Sequence, residues 1–316
     1  MSRVLVVGGA GYIGAHVCDV LVSNGYQVRI YDDFSNGLRR RVEGKFTDVV
    51  VGDILDRTKL IQSLEDVNSV IHLAAKKAVG ESVENPLKYY QNNVGGTLNL
   101  LAAMSAKSVK TIVFSSSAAV YAPNDKPAIE ESDLTKPLSP YGETKLLSEQ
   151  LISKVSEANG ISAISLRYFN VVGSSKPEFG DNSKDNLVPK VFNALNEGKS
   201  PEIFGDDYPT KDGTCIRDYV HVVDLIEAHI LALQKLPDHK HEIINLGSGS
   251  GYSVRQVIDA AAKSVGHEIP SIASSRRAGD PAVLIADISK AKNYLKWQPK
   301  RDVEEMVLDT WKAINS

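Results

Sequence analysis

The chain has 316 residues, 42% of them hydrophobic and 24% charged, enough for one large core or two joined lobes. Its 36 Lys and Arg against 39 Asp and Glu leave a formal charge of −3, so no basic field favours nucleic acid as a partner. No apolar run is long enough for a bilayer, and the N-terminus enters a strand-like segment rather than a signal peptide; two cysteines, Cys18 and Cys215, make no disulfide framework, so a reducing cytoplasm is expected.

The first element is the apolar run from Arg3 to Val7. It ends in Gly8, Gly11 and Gly14, spaced Gly-x-x-Gly-x-x-Gly, and an apolar-periodic stretch over 13–21 follows. This reads as strand, tight turn and helix. Gly8 lets the strand turn. Gly11 lets a diphosphate approach the backbone, where a Cβ would block it. Gly14 lets the helix pack against the sheet. The free N–H groups and positive dipole end of the helix then face the phosphates. Because the glycines lie between a strand and a helix, the motif points to a dinucleotide. The next strand, 27–31, runs into Asp32. A carboxylate about 20 positions beyond the glycines accepts hydrogen bonds from an adenosine ribose, and it repels the 2′-phosphate of NADP. Asp32 therefore selects NAD. Arg39, Arg40 and Arg41 are candidate partners for that phosphate, but such a run is more often a solvated face and is read as one; Asn36-Gly37 reads as a turn.

Strand-like runs recur at 49–51, 70–73 and 111–114, with helical stretches between them, one of them long, 86–107. Near-continuous apolar strands alternating with helices predict an α/β fold with a doubly wound parallel sheet. Asp53 falls on the carboxyl edge of that sheet, where it could hold adenine or cap the helix beginning near Arg57. The fifth strand ends in Ser115-Ser116-Ser117. Ser139-Pro140 then opens a helix in which Tyr141 and Lys145 share one face at i and i+4. A tyrosine at its ordinary pKa is a poor base near neutrality. A lysine ammonium one turn away, with a cationic nicotinamide ring, favours the phenolate.

After Val171 the pattern weakens, and Gly, Ser, Pro and Asp accumulate through Asn186, as at a lobe boundary. Helices are expected over 187–195, 253–265 and 302–314, and strands over 215–220 and 242–246. His239 and His241 stand in a polar loop with no cluster of further ligands, so no metal is expected there.

Gly8-Gly9-Ala10-Gly11-Tyr12-Ile13-Gly14 and Tyr141-Gly142-Glu143-Thr144-Lys145 together resemble the extended short-chain dehydrogenase/reductase superfamily. Within it the chain is similar, over nearly its whole length, to the UDP-glucose (UDP-galactose) 4-epimerase family. The more specific segments are Lys77-Ala78-Val79-Gly80-Glu81-Ser82-Val83, Tyr168-Phe169-Asn170 and the run from Phe204 through Thr214 into Arg217-Asp218-Tyr219.

The resemblance implies a Rossmann-like NAD-binding domain over 1–171, with later segments near 215–246 partly returning to it. A smaller mixed α/β lobe over 172–316 would bind the sugar nucleotide. It makes Tyr141 the base for the sugar 4-hydroxyl and Ser117 its relay. Lys145 would hold the nicotinamide ribose and lower the Tyr141 pKa. It adds Tyr12, Ile13, Asn36, Ile54, Lys77 and Asn92 to Gly11, Asp32 and Asp53 as NAD contacts. It assigns Asn170, Asn186, Leu187 and Phe204, with Arg217, Tyr219, Arg277 and Asp280, to the UDP-sugar. Arginine suits that role, since its planar, permanently charged fork clamps a diphosphate. Leu284 matches the position that gates hexose size, and leucine leaves N-acetylated UDP-hexoses open.

The implied reaction oxidises C4 to a ketone on NAD, rotates the sugar and reduces the other face. The implied assembly is a homodimer through the helices at 86–107 and 141–159. The alternatives are a UDP-GlcNAc/UDP-GalNAc or dual-specificity epimerase, another sugar-nucleotide-modifying enzyme, and an NAD-binding sensor without turnover. Dehydratase relatives carry an acidic pair after the strand-end hydroxyl, where this chain has Ala118 and Ala119.

Overall fold

The structure, a computed structural model, describes residues 2–123, 126–277 and 280–316. Two compact units emerge, the first formed by Met1–Ala122, Leu134–Arg167 and Ile226–Ile244, the second by Pro123–Asp133, Tyr168–Leu225 and Asn245–Ser316.

The first unit is built on a seven-stranded sheet. Its spatial order is His241–Leu246, Ser162–Tyr168, Thr111–Ser115, Ser69–His72, Arg3–Val7, Gln27–Asp32, Val49–Val51. The chain winds outward from Arg3–Val7 in one direction, then returns to Ser69–His72 on the other side and winds away. The reversal leaves a crevice at the carboxyl ends of Arg3–Val7 and Ser69–His72, the place where open α/β sheets bind ligands. The amides of Leu73 and Ala74 both donate to the Val7 carbonyl, at 2.8 and 2.9 Å, so the two strand ends are tied beside the glycine turn. Parallel registers such as Val6↔Ile71 and Ile71↔Val113 bury Leu5, Val70 and Ile112 completely. Leu100, Leu101, Met104 and Ile152 pack on them from the flanking helices. This is the doubly wound sheet read from the strand pattern.

The long helix expected over 86–107 is three pieces. An α-turn Pro86–Tyr89 leads into a π-helical stretch Tyr90–Gly95 and then the α-helix Gly96–Ala106. The wide turn has a local cause. The Asn93 side chain is buried, accepting from the Lys76 amide and donating to the Lys76 carbonyl and the Thr144 hydroxyl. Helix register yields to these bonds.

In the second unit, strands Asn170–Val172, Ile216–His221, Gly251–Ser253 and Val283–Leu284 form one sheet, and Glu202–Phe204 pairs with Ile272–Ser274 in another. Helices Leu187–Asn196, Val254–Val265 and Val303–Ile314 supply Val191, Phe192, Val257, Met306 and Val307 to its core. Ser253 and Gln256 close a capping box, and Asp302 caps the last helix, so both helices start one residue after the first polar residue of their expected spans. Pro123–Asp133, inside the span 1–171, groups with this unit. Ile129 donates to the Ile285 carbonyl and accepts from the Asp287 amide, both at 2.8 Å, and also accepts from the Asn245 side chain. No described helix is long and apolar enough to cross a membrane.

Candidate active site

The glycine turn has the geometry a dinucleotide requires. Gly8 has φ +88°, and a Cβ there would lie 2.6 Å from the Ala74 nitrogen. A Cβ on Gly14 would lie 2.1 Å from the Gly8 carbonyl oxygen, so the helix packs against the turn itself. Gly11 differs, since its Cβ would meet only the Gly8 carbonyl, at 3.2 Å, which leaves its other side open. Gly11 is also the N-cap of helix Tyr12–Ser23 and offers no side chain to the first-turn N–H groups, Tyr12 and Ile13 among them. The positive end of such a helix attracts an anion.

Asp32 is 7% exposed at the end of its strand. One carboxylate oxygen accepts from the Ala10 amide at 2.9 Å and the other from the Phe34 amide at 2.8 Å. Burial pushes its pKa up, opposed by these two amides and by the Arg41 charge. Each oxygen keeps lone-pair capacity for a ribose hydroxyl. Arg41 is not the solvated residue expected: it is 1% exposed, donating to the Ala10 carbonyl at 3.4 Å.

A cavity in the crevice is lined by Gly8, Gly11, Asp32, Asn36, Ile54 and Asn92, six of the residues singled out in the sequence. Asp53 is not on its wall. Its side chain accepts from the Leu55 amide and its carbonyl from the Tyr31 hydroxyl, while Asp56 caps the helix. Lys77 is exposed, and its neighbour Lys76 lines the cavity, with Nζ on the Ser35 hydroxyl at 2.9 Å. Lys76, Ser35 and Ala74 carried no spacing signal; only the crevice geometry finds them. The open face of Gly11, the helix N-terminus beside it and the ribose-ready Asp32 fit NAD, and the carboxylate disfavours a 2′-phosphate.

In the first unit the strand-end serines meet the helix Pro140–Asn159. Ser139 caps this helix with its hydroxyl on the Gly142 amide, and Pro140 occupies the first turn. Ser117 stands beside the Tyr141 phenol, whose pKa it lowers, and accepts from the Ala119 amide at 3.2 Å. Lys145 is 3% exposed, donates to the Ser115 carbonyl at 2.7 Å and lies 5.0 Å from the Phe114 ring centre.

Burial pulls the Lys145 pKa down to about 7, opposed by the Glu149 carboxylate. Burial raises the Tyr141 pKa, and the bond with Ser117 offsets that only in part. The depressed phenol expected from the i, i+4 lysine is therefore not a property of these protein groups. Lys145 is itself so desolvated that near neutrality it is only partly charged.

The second unit gathers the residues expected on the UDP-sugar from separate segments. Arg217 stands on strand Ile216–His221, with Nη2 3.3 Å from an Asp280 carboxylate oxygen. Leu284 is its registered partner on the neighbouring strand. Asn170 donates to the Asp218 carbonyl at 2.8 Å. Asn186 donates to Asp181 at 2.6 Å and precedes Leu187, which packs against the core. The Arg277 guanidinium lies 4.1 Å from the Phe204 ring centre, whereas Arg276 pairs with Asp207 and stacks on Tyr208. The adjacent pair is thus divided between two aromatic partners. Tyr219 is 4% exposed and sits in the core. Gly279, which with Asp280 and Pro281 reads from the sequence as a turn beside Arg277, lies outside the described residues. Among the described residues no group of three or more His, Cys, Asp or Glu could hold a metal.

Comparison with known proteins agrees with this geometry. Residues 4–247 match the model of the NAD-dependent epimerase/dehydratase family. A UDP-glucose 4-epimerase of Corynebacterium glutamicum is 44% identical over 313 residues, covering 98% of this chain and 94% of the relative. The solved UDP-glucose-4-epimerase of Stenotrophomonas maltophila, with bound NAD and formylated UDP-arabinopyranose, superposes with a TM-score of 0.95 at 39% identity, covering 100% and 98% of the two chains. The UDP-Glc/GlcNAc 4-epimerase of Campylobacter jejuni gives a TM-score of 0.88 at 37% identity, covering 100% and 99%. By motif, fold and full-length similarity, this chain belongs to the NAD-dependent epimerase/dehydratase family.

Proposed function

We infer that this chain interconverts UDP-galactose and UDP-glucose by inverting C4 of the hexose, with NAD as cofactor. The observation that carries the reading is Ser117, Tyr141 and Lys145 at one strand end of a glycine-turn unit, in a chain similar over its full length to UDP-glucose 4-epimerases. Bound in the crevice, NAD would supply a reversible hydride acceptor for C4, and its positive ring would favour the Tyr141 phenolate.

The chain's own residues do the rest. The Tyr141 phenol oxygen takes the proton of the 4-hydroxyl and gives it back, with Ser117 sharing that hydrogen bond. Lys145, anchored on the Ser115 carbonyl, keeps two further N–H donors for the nicotinamide ribose. Asp32 holds the adenosine ribose, and the amides at the start of helix Tyr12–Ser23 hold the diphosphate of the cofactor. Asn36, Ile54 and Asn92, on the cavity wall, complete the NAD contacts, while Asp53 and Lys77, expected there by resemblance, stand off that wall.

Arg217 and Arg277 clamp the diphosphate of UDP, with Asn170, Asn186, Leu187, Phe204, Tyr219 and Asp280 as further contacts. Ala118 and Ala119 form a short helical turn capped by Ser117 and carry no acid or base, so elimination to a dehydrated sugar has no catalyst there.

The second reading, use of N-acetylated UDP-hexoses, is favoured by one observation. Leu284 is only partly buried beside Arg217 and is smaller than an aromatic gate. Proton NMR of the anomeric signals tests both. Enzyme and NAD are added to UDP-galactose and, separately, to UDP-GalNAc. Conversion of the first alone fixes the narrow specificity, conversion of both fixes the broad one, and conversion of neither overturns the reaction.

We further propose a homodimer through residues 86–106 and the helix Pro140–Asn159. Leu87 and Leu98 support it, standing 75% and 53% exposed on the first of these segments. A solution mass near that of one 34.3 kDa chain would rule it out. Cys18 and Cys215 are both free and buried, which suits a reducing compartment, and we assign the cytoplasm.

A further inference from the structure

The three serines at the end of strand Thr111–Ser115 engage three successive turns of one face of helix Pro140–Asn159. Ser117 stands beside Tyr141, the Ser115 carbonyl takes the Lys145 ammonium, and the Ser116 hydroxyl donates to Glu149. Tyr141, Lys145 and Glu149 are spaced i, i+4 and i+8, so they stand above one another. The reaction proposed above uses the first two and leaves Glu149 without a role.

Glu149 is 2% exposed, and its partner Arg167, on strand Ser162–Tyr168, is 3% exposed. Arg167 grips both carboxylate oxygens, Nε at 2.9 Å and Nη2 at 2.6 Å, and lies 4.8 Å from the Tyr121 ring centre. A buried fork of this kind costs much desolvation, and apolar residues of similar volume often do as well for stability. Its position one turn beyond a buried lysine gives it a different use.

The groups facing Lys145 can be named. From strand Ser69–His72 comes His72, which burial and the Lys145 charge hold neutral, its pKa lowered to about 3. From strand Thr111–Ser115 come the Phe114 ring and the Ser115 carbonyl. From its own helix come Tyr141 and Glu149. Among these, Glu149 is the anion, and its field opposes the desolvation that pulls Lys145 down to about 7.

We propose that Glu149 is a positioning residue for the reaction: held by Arg167 and Ser116, its carboxylate keeps the Lys145 ammonium charged and aimed at the end of the strand. Arg167 sets how much of that field Lys145 feels. The proposal rests on the epimerase reading for its effect on turnover. Its effect on the lysine stands apart from that reading.

The test titrates protein labelled with carbon-13 at lysine Cε, with NAD bound, the Lys145 signal being assigned by its loss in Lys145→Met. Glu149→Gln keeps the shape and removes the charge. It should lower the Lys145 midpoint by ~1 pH unit, a tenfold change in proton affinity. Arg167→Gln strips the counter-charge from Glu149 and should move the midpoint the other way.

The alkaline limb of kcat on UDP-galactose should follow both shifts, with KM within about twofold and Glu149→Asp restoring the native limb. Should Glu149→Gln fail to fold, the upward shift in Arg167→Gln decides alone. Midpoints that stay put, or that move in the same direction in both variants, overturn the proposal. So do midpoints that move while the kcat limb does not. Native protein that converts no sugar overturns the epimerase reading instead, while the lysine midpoints still decide whether Glu149 sets the charge.

Discussion

The two units hold their functional residues in different ways. In the first, backbone and short hydrogen bonds dominate. Gly8 and Gly14 admit no Cβ, Asp32 is tied to two amides, and Ser115, Ser116 and Ser117 bond one helix face. In the second, Arg217 is balanced by Asp280, and Arg276 and Arg277 lie over the flat faces of Tyr208 and Phe204. Redox chemistry at C4 needs atoms set to fractions of an ångström, which rigid strand ends supply. Anchoring a diphosphate while a hexose turns needs charge and stacking more than a unique pose. The comparison teaches that rate should depend on the first unit and affinity on the second.

Substitutions break that comparison in order of size. Tyr141→Phe removes the proposed proton acceptor and keeps the ring, so kcat should fall about a thousandfold while bound NAD stays at the native level. A mutant with native turnover would make Tyr141 a bystander. Arg217→Met should act oppositely. KM for UDP-galactose should rise about 10- to 100-fold, as for loss of one charged hydrogen-bonding partner, with kcat nearly unchanged. A drop in kcat at constant KM would place Arg217 in the chemistry instead.

A third prediction spans both units. His72 in the first and His221 in the second are fully buried, held neutral by desolvation with pKa lowered to about 3 and about 4 from an ordinary 6.5. Between those values and 6.5 the unfolded chain binds protons that the folded chain refuses. Stability therefore rises with pH through this window; it is complete above 6.5 and is lost as pH falls. Each imidazole contributes about 1.4 kcal/mol per pH unit well inside the window. Urea midpoints at pH 7 and pH 5 should differ accordingly, and His72→Gln should flatten the slope. Equal midpoints would mean that the imidazoles accept protons in place.

The smallest effect concerns specificity. Leu284→Gly should raise kcat/KM for UDP-GalNAc relative to UDP-galactose by about tenfold, as expected for the space of a few methylene groups. An unchanged ratio would remove Leu284 from the gate.

How much was legible in the sequence follows the same division. The glycine turn, Asp32, the serine run and the Tyr141/Lys145 pair are local patterns, because a strand–turn–helix and one helix face set their geometry within a few residues. Their places are as read. What short spacing could not carry is what distant segments bring. Lys76 and Ser35 meet across the cavity mouth, and Pro123–Asp133 joins the second unit through Ile129. Asn93 holds the π-helical turn Tyr90–Gly95 through contacts with Lys76 and Thr144. The raised Tyr141 pKa was illegible for a related reason, since burial outweighs the neighbouring lysine and burial is a tertiary property. In the second unit the sequence offered the arginines by resemblance, but not that Arg276 and Arg277 take different aromatic partners.

The central claim is that C4 is oxidised and re-reduced within one site by one retained cofactor. UDP-galactose carrying deuterium at C4 tests it most directly, incubated with enzyme and NAD in ordinary water and followed by NMR at C4 of the UDP-glucose formed. The inverted product should carry essentially all the deuterium still on C4. Deuterium lost to water, or left on released cofactor with the ketone accumulating, would contradict the claim.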